Sequence, residues 1–260
     1  MRPPYIGITD VPSAEWLKSM LRFYIDVDDR GGLVSHQLHA GVMMSYKTLN
    51  GLETKWSAVW PKKEGIANIF LPTHFALLNT LHYADYEGID VEEGLLQAVH
   101  FGGPNLDALQ LDMIWPDPFA VRCCAARHPH LRIILQVGSK ALAQVNDDPK
   151  TLIERLEQYE GIVHDVLLDK SGGRGQGLDA ALLEPFIYEL RARRPDLGIA
   201  VAGGLGPDTL HLVEPLIRKF PGLSIDAQGQ LRPSGNSLDP IDRTRAEDYL
   251  HKAVAMFRTA

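Results

Sequence analysis

Apolar segments of strand length alternate with amphipathic segments of helical length through the second half of the chain. The apolar segments are Ala108–Met113, Arg132–Val137, Val163–Leu168, Ile199–Ala202 and Leu223–Ile225. The amphipathic segments between them are Pro118–Arg127, Thr151–Tyr159, Ala180–Arg193 and Thr209–Lys219. This alternation is typical of βαβ units and predicts a parallel sheet.

The first half of the chain follows the same order less regularly. Its apolar segments of strand length are Tyr5–Thr9, His36–Ser45 and Leu77–Tyr83. Its segments of helical length are Ser13–Asp26, Val91–Phe101 and, with a poorer pattern, Trp56–Phe70; a last helix is predicted over Thr244–Phe257. Eight strand–helix units in 260 residues fit a (β/α)8 TIM barrel, so we predict an α/β fold with one domain over residues 1–260. A doubly wound open sheet is the alternative.

Composition and charge narrow the range of partners. The chain is 45% hydrophobic, carries a formal net charge of -7, and has two cysteines, which are adjacent at Cys123 and Cys124. Acidic surface disfavours nucleic-acid binding, and adjacent cysteines cannot form the disulfide framework of a secreted domain. No apolar run reaches membrane-spanning length, and the N-terminal segment lacks a signal-peptide pattern. We therefore expect a cytoplasmic protein with a small-molecule partner, no nucleic acid and no membrane, and the sequence leaves its oligomeric state open.

Active sites of TIM barrels lie at the C-terminal ends of the strands, so residues at those ends are the candidates. Three are carboxylates, because Asp112, Asp169 and Asp226 stand at the ends of the predicted fourth, sixth and eighth strands. Alternate strands contribute to the same layer of a barrel interior, so these three are expected to converge, and two can serve as acid and base. The alternative is that each caps the following helix. The other polar residues at strand ends include Thr9, Asp10, Ser45, Lys47, His82, Gln136 and Lys170.

Glycine-rich turns follow the last three predicted strands. Glycine permits positive φ angles and lets backbone N–H groups approach a ligand closely. TIM barrels often bind phosphate with the loops after strands seven and eight. We therefore predict a phosphate site in this region, with ordinary turns as the alternative. The glycines assigned to it are Gly172, Gly173, Gly175, Gly203, Gly204 and Gly229.

The segment LLDKSGGRGQGLD (167–179) resembles the sixth strand and following loop of phosphoribosylanthranilate isomerase, a TIM barrel of tryptophan biosynthesis. The segments VAGGLGPDTL (201–210) and LSIDAQGQL (223–231) are similar to that family's seventh and eighth strands. LDALQLD (106–112) resembles its fourth strand and YIGIT (5–9) its first. The resemblance implies an isomerase acting on a phosphorylated sugar or nucleotide-like metabolite.

The resemblance also implies roles for single residues. Asp169 falls on the family's general acid, and Asp226 on an aspartate that contacts the substrate. The family's catalytic base is a cysteine whose position falls on Ile6, and isoleucine cannot accept a proton. Asp112 stands where the family has a histidine, and we take it as the replacement base. The other candidates for that role are Asp10, Lys47 and Lys170.

The segment after the second strand is expected to supply further substrate contacts. The family's arginine that holds an aromatic carboxylate aligns with Asn50. Lys47 lies three positions earlier, near the end of the same strand. We assign both residues to substrate binding.

The ten histidines raise a metal hypothesis. His36 and His39 are three positions apart in the second strand, so they are expected to face opposite sides of it. His82 ends the third strand, but no histidine pair with a neighbouring acid has the spacing of a metal site. We therefore predict no metal and no cofactor. Two alternatives to an isomerase stay open: a non-catalytic protein that binds a phosphorylated metabolite, and a metal-dependent phosphosugar epimerase or isomerase.

Overall fold

The computed structural model describes residues 2–29, 35–170 and 177–260. Its strands pair in parallel, each with the next and the last with the first, and so close into a barrel, which confirms the predicted (β/α)8 TIM fold. The strands are β1 (Tyr5–Thr9), β2 (Gln37–Ser45), β3 (Leu77–Ala84), β4 (Ala108–Asp112), β5 (Arg132–Gly138), β6 (Asp165–Asp169), β7 (Gly198–Ala202) and β8 (Ser224–Ala227).

Helices connect the strands on the outside of the barrel. They are α1 (Ala14–Asp29), α2 (Tyr46–Leu49), α3 (Val91–Gly102), α4 (Pro118–Arg127), α5 (Ser139–Gln144), α6 (Pro149–Leu156), α7 (Ala180–Arg193), α8 (Glu214–Lys219) and α9 (Arg243–Arg258). In the described part of the chain, none of these helices is both long and apolar enough to cross a membrane.

The helix predicted over residues 56–70 is wrong. That segment contains Pro61 and Gly65, which break helices, and it folds as a loop followed by a 3-10 helix over Lys63–Asn68. The rings of Trp56 and Trp60 stack with centroids 4.8 Å apart. Their spacing of four residues gave the loop an apolar pattern that imitates an amphipathic helix.

Side chains alternate between the two faces of each strand, and this decides which residues reach the centre of the barrel. In β1, Ile6 and Ile8 belong to the core between the strands and the surrounding helices. Tyr5 belongs instead to the small interior cluster, and the Thr9 hydroxyl donates to Asp226 of the adjacent strand β8 inside the barrel. Ile6 therefore points away from the centre.

A buried ion pair closes the N-terminal end of the interior. Arg132 of β5 donates from Nε and Nη2 to the two carboxylate oxygens of Asp165 in β6, each at 2.5 Å, and from Nη1 to the Pro3 carbonyl at 2.8 Å. Gly198 of β7 leaves room for this pair, since a Cβ there would lie 1.9 Å from Asp165 Oδ1.

Candidate active site

His82 and Asp112 form the centre of a polar cluster at the C-terminal end of the barrel. The ends of β3 and β4 bring His82 Nε2 to 3.5 Å from Asp112 Oδ2. The hydroxyl of Tyr86, in the loop after β3, donates a short hydrogen bond to Asp112 Oδ1. Burial by itself lowers the pKa of His82, but the adjacent Asp112 outweighs it, so the pKa lies above its usual value. Asp112 therefore favours the protonated form of this ring.

Two glutamines fix the other side of the His82 ring. Gln110 Nε2 donates to Gln136 Oε1 at 2.9 Å and lies 3.2 Å from His82 Nδ1. An amide nitrogen only donates, so this arrangement fits the neutral form of His82, in which Nδ1 accepts and Nε2 carries the proton on the side of Asp112. Gln110 Oε1 has no hydrogen-bond partner among the described residues. A rotation of this amide would offer that oxygen to a protonated Nδ1.

Asp226 of β8 lies inside the barrel, where Thr9 Oγ1 is 3.1 and 3.0 Å from its two oxygens. Gly7 of β1 provides the space, because a Cβ there would lie 2.4 Å from Asp226 Oδ1. Burial raises the pKa of Asp226 to about 6, against the opposing effects of His82 and the Thr9 hydrogen bond. This carboxyl group can therefore take up and release a proton near neutral pH.

The three strand-end carboxylates, Asp112, Asp169 and Asp226, affect the pKa values of a common set of neighbouring groups. Asp112 and Asp226 both raise the pKa of His82. The charge of Asp169 contributes to the raised pKa values of Asp226 and Tyr86. None of the three caps the next helix, because other aspartates do so at α4, α7 and α9. These caps are Asp117, Asp179 and Asp242.

Asp10 links the end of β1 to the loop after β8. Its Oδ2 accepts hydrogen bonds from Arg232 Nη2 at 2.6 Å and from Gln228 Nε2 at 3.0 Å. Both charged side chains are buried. Asp10 has a φ of 81°, a left-handed conformation that costs energy in a non-glycine residue and is common near functional sites. One oxygen of this candidate base is therefore already bound to Arg232.

The glycine turn after β7 has the conformation that requires glycine. Gly203 and Gly204 have φ angles of 115° and 64°. Thr209 Oγ1 donates to the Gly204 carbonyl at 2.7 Å and holds the turn. The turn also packs against the loop after β8, because a Cβ at Gly206 would lie 2.5 Å from the Gln230 side chain. Gly229 begins the 3-10 helix of that loop.

The remaining predicted phosphate residues, Gly172, Gly173 and Gly175, lie outside the described residues. Lys47 in α2 and Asn50, which follows α2, are both exposed. Lys47 Nζ is 3.9 Å from Glu87 Oε1, and Asn50 Nδ2 donates to the carbonyl of Tyr46, the first residue of α2. Lys170 points away from the centre and pairs with Asp147 at 3.0 Å.

The orientation of Ile6 corrects the argument that this residue replaces a catalytic base. Ile6 is fully buried and packs between the strand and the helices. A side chain in that orientation does not face Asp169 or Asp226, whatever its chemistry. The polar cluster at this end of the barrel is formed by side chains of β3, β4 and β8 instead.

Sequence reasoning missed several members of the cluster. Gln110 and His39 were assigned to strands without a role, and Tyr86 and Arg232 were not singled out. Alternation along β4 would have found Gln110, because it shares a face with Ala108 and Asp112. His36 and His39 do face opposite sides: His36 packs on Phe257 of α9, and His39 on Tyr5 inside the barrel.

Potential metal ligands do not cluster in the described part of the chain. Within residues 2–29, 35–170 and 177–260, no three histidine, cysteine, aspartate or glutamate side chains come together as a metal site. The histidine and carboxylates of the cluster instead contact one another and neighbouring hydroxyl and amide groups.

No protein-family model and no curated protein matches the sequence. The resemblance to phosphoribosylanthranilate isomerase therefore receives no support from these comparisons.

Solved structures do match. The carboxyl transferase domain of Rhizobium etli pyruvate carboxylase, with 3-bromopyruvate, matches with a TM-score of 0.54 at 14% identity over 100% of this chain and 48% of that one. The same domain with pyruvate and biocytin gives 0.54 at 15% identity over 98% and 48%. The complete multifunctional enzyme gives 0.52 at 14% identity over 98% and 26%. The chain thus spans about half of the carboxyl transferase domain structures, and at this identity the similarity concerns the fold.

Proposed function

We propose that this protein is an isomerase-type enzyme that transfers protons on a small, phosphorylated carbonyl metabolite bound at the C-terminal end of the barrel. The observation that carries the proposal is the pairing of a buried carboxyl group, Asp226, whose pKa is raised to about 6, with His82, whose pKa is also raised. A carboxyl group whose pKa is shifted toward neutral pH, together with a histidine at the catalytic end of a TIM barrel, is suited to general acid–base chemistry.

The two groups have complementary roles in this proposal. Near pH 7 Asp226 is largely ionised, since its pKa is about 6, and it accepts a proton from the carbon next to the substrate carbonyl. The His82 imidazolium, held by Asp112, donates a proton to the carbonyl oxygen. The product of these two transfers is an enediol. Asp226 then delivers its proton to the former carbonyl carbon, and neutral His82 takes the proton of the other hydroxyl, which becomes the new carbonyl; this gives the isomer and restores both groups.

Asp112 and Tyr86 support this cycle by holding the histidine. Asp112 stabilises the imidazolium, and its second oxygen is engaged by the Tyr86 hydroxyl. Asp169, the acid implied by the resemblance, affects Asp226 through its charge and is proposed as a substrate contact or second acid.

The phosphate part of the proposal is supported by the turn after β7. Gly203 and Gly204 both have positive φ angles, and glycine at such positions lets backbone N–H groups approach a ligand closely. The loop after β8, which begins its 3-10 helix at Gly229, contacts this turn. Together these loops occupy the position where TIM barrels often hold phosphate.

Proton exchange into deuterated water tests the proposal directly. The protein is incubated with a panel of phosphorylated aldoses and ketoses, and with phosphoribosylanthranilate, and deuterium incorporation is followed by proton NMR. We expect exchange and isomerisation with at least one compound. Asp226→Asn and His82→Gln should each slow it about 10²–10⁴-fold, the usual contribution of an acid or base.

Asp196→Asn serves as the matched control, because Asp196 is exposed near the opposite end of the barrel and pairs with Arg194. It should leave exchange unchanged. Stabilisation by a panel compound without any exchange would favour a non-catalytic binding protein. Exchange that is unaffected by Asp226→Asn would remove Asp226 as the base.

A further inference from the structure

His39 lies fully buried in β2, and neither of its ring nitrogens has a hydrogen-bond partner among the described residues. The side chain of Gln110 faces the ring without a hydrogen bond of acceptable geometry. An unsatisfied buried polar atom destabilises the folded protein, so a histidine kept in this position calls for a physical explanation.

The ring is held in one orientation by stacking. His39 and Tyr5 stack with centroids 4.7 Å apart and planes inclined by 21°, and the guanidinium of Arg132 lies 5.4 Å from the centre of the Tyr5 ring on the N-terminal side. This stack directs His39 Nδ1 toward Asp226, with 4.0 Å between Nδ1 and Oδ1.

A separation of 4.0 Å is too long for a direct hydrogen bond. One water molecule at about 2.8 Å from both atoms spans it with an angle of about 90° at the water oxygen. Both atoms are buried, and the donor and acceptor that a bound water needs face each other. The Thr9 hydroxyl, 3.1 Å from Oδ1, provides a neighbouring polar group.

His39 is neutral in this environment. Burial lowers its pKa to about 3, and the charges of His82 and Arg132 act in the same direction. A neutral imidazole has one N–H group, which can donate toward a carboxylate without placing a second cation beside His82.

We propose that His39 is a positioning residue that donates a hydrogen bond through one bound water to Asp226 and thereby keeps this carboxylate ionised for proton abstraction. The inference rests on the proposed function insofar as Asp226 is the base. The titratable groups that interact electrostatically with Asp226 are Tyr5 in β1, His82 in β3, Asp169 in β6 and Tyr249 in α9, and His39 in β2 lies 4.0 Å from it.

The test measures the pKa of Asp226 itself, without substrate, by carbon-13 NMR titration of the side-chain carboxyl groups, with Asp226→Asn to assign the signal. His39→Phe keeps the stack on Tyr5 but removes the donor. The Asp226 carboxyl should then bind its proton about tenfold more tightly, a pKa rise of about one unit. Tyr5→Phe is the matched control, since it removes a buried hydroxyl from the same stack and leaves His39, and it should move the pKa little.

An unchanged Asp226 pKa in His39→Phe, or an equal shift in Tyr5→Phe, would overturn the inference. If His39→Phe does not fold, His39→Gln and His39→Met replace it. Glutamine retains a donor and should give a pKa near that of the unchanged protein, whereas methionine should raise it, and equal values in the two variants would contradict the proposal.

The titration and the turnover assay separate the two proposals. A shifted carboxyl pKa in His39→Phe with no proton exchange on any substrate would retain the role of His39 and reject the isomerase. Exchange that depends on Asp226 but not on His39, at any pH, would retain the enzyme and reject the positioning role.

Discussion

The two ends of the barrel interior hold buried polar groups in different ways. At the N-terminal end, Arg132 directs its Nε and Nη2 to the two oxygens of Asp165, and Nη1 to a backbone carbonyl. Further along the interior, His39 and Gln110 each retain at least one nitrogen or oxygen without a hydrogen-bond partner among the described residues. The Tyr5 hydroxyl, between the two layers, is also unsatisfied.

This difference distinguishes polar groups that stabilise the barrel from polar groups that can interact with a substrate. A carboxylate with both oxygens bound to a guanidinium has little capacity left for a ligand, so the Arg132–Asp165 pair serves the barrel. Groups with open hydrogen-bonding positions and shifted pKa values cost stability and can interact with a substrate. The comparison can be tested by substituting each end and asking which property changes.

The largest effect is expected from breaking the ion pair. Arg132→Met leaves the Asp165 carboxylate buried without its partner, and we expect a loss of about 3–5 kcal/mol in the free energy of unfolding. Denaturant unfolding measures it. The double variant Arg132→Met with Asp165→Leu should recover most of the loss. A loss below about 1 kcal/mol for the single variant would show that this end does not stabilise the barrel as described.

Substituting Gly198 and Gly7, the two glycines that make room for carboxylates, should cause smaller losses in the free energy of unfolding. Gly198→Ala places a Cβ 1.9 Å from Asp165 Oδ1, and Gly7→Ala places one 2.4 Å from Asp226 Oδ1. Overpacking of this kind costs about 1–3 kcal/mol. We expect Gly198→Ala at the upper end of that range, since Arg132 holds Asp165 in place, and Gly7→Ala at the lower end. Equal losses for the two variants in denaturant unfolding would show that Asp165 is not held more rigidly than Asp226.

Replacing the proposed base, Asp226, should stabilise the protein, unlike the substitutions above. At pH 8 Asp226 is ionised in a site that raises its pKa to about 6, so Asp226→Asn should increase the free energy of unfolding by about 1–2 kcal/mol. The same variant should lose proton-transfer activity. Thermal unfolding at pH 8 measures the gain, and a destabilised Asp226→Asn would mean that the carboxylate is structural.

The smallest effect concerns acid sensitivity. The pKa values of His36 and His39 in the folded protein are about 4 and about 3, below the ordinary 6.5, so their contributions to stability are lost as the pH falls below about 6.5. The pKa of Asp226, about 6 against an ordinary 3.8, acts in the other sense, because its protonation favours the folded state.

Between pH 7 and pH 5, Asp226→Asn should therefore lose about 1 kcal/mol more stability than the unchanged protein, since the compensating protonation is gone. Denaturant unfolding at the two pH values gives this difference. The exposed substitution His251→Gln is the control and should leave the pH dependence as it is. An identical pH dependence in Asp226→Asn would place the Asp226 pKa near its ordinary value.

Most of the fold could be predicted from the sequence because the strands are buried and short. The end of β1 was placed correctly. The bounds of β6 and β8 were misplaced by two residues at most, because the predicted segments followed apolar residues and so left out Asp169 and Asp226. The segment after β2 was wrong because periodicity alone cannot distinguish stacked tryptophans in a loop from a helix face.

The site could be predicted only in part. A carboxylate at a strand end is visible in the sequence, so Asp112, Asp169 and Asp226 were found. The pairing of Asp112 with His82 depends on the register between β3 and β4, which no local pattern contains. The interpretation of Ile6 was wrong for a different reason. A match to a motif position does not show which face of the strand the side chain occupies, and Ile6 faces the helices.

The hydrogen bond between Thr9 and Asp226 joins residues 217 positions apart, the first strand to the last. During synthesis the chain presents Thr9 early, but its partner leaves the ribosome only after seven strands have been made. The proposed base and the closing strand are one element, so a chain interrupted before β8 would lack barrel closure and the proposed chemistry at once. Partly made protein would therefore be recognisable to quality control by its open sheet edges before it could act on any metabolite.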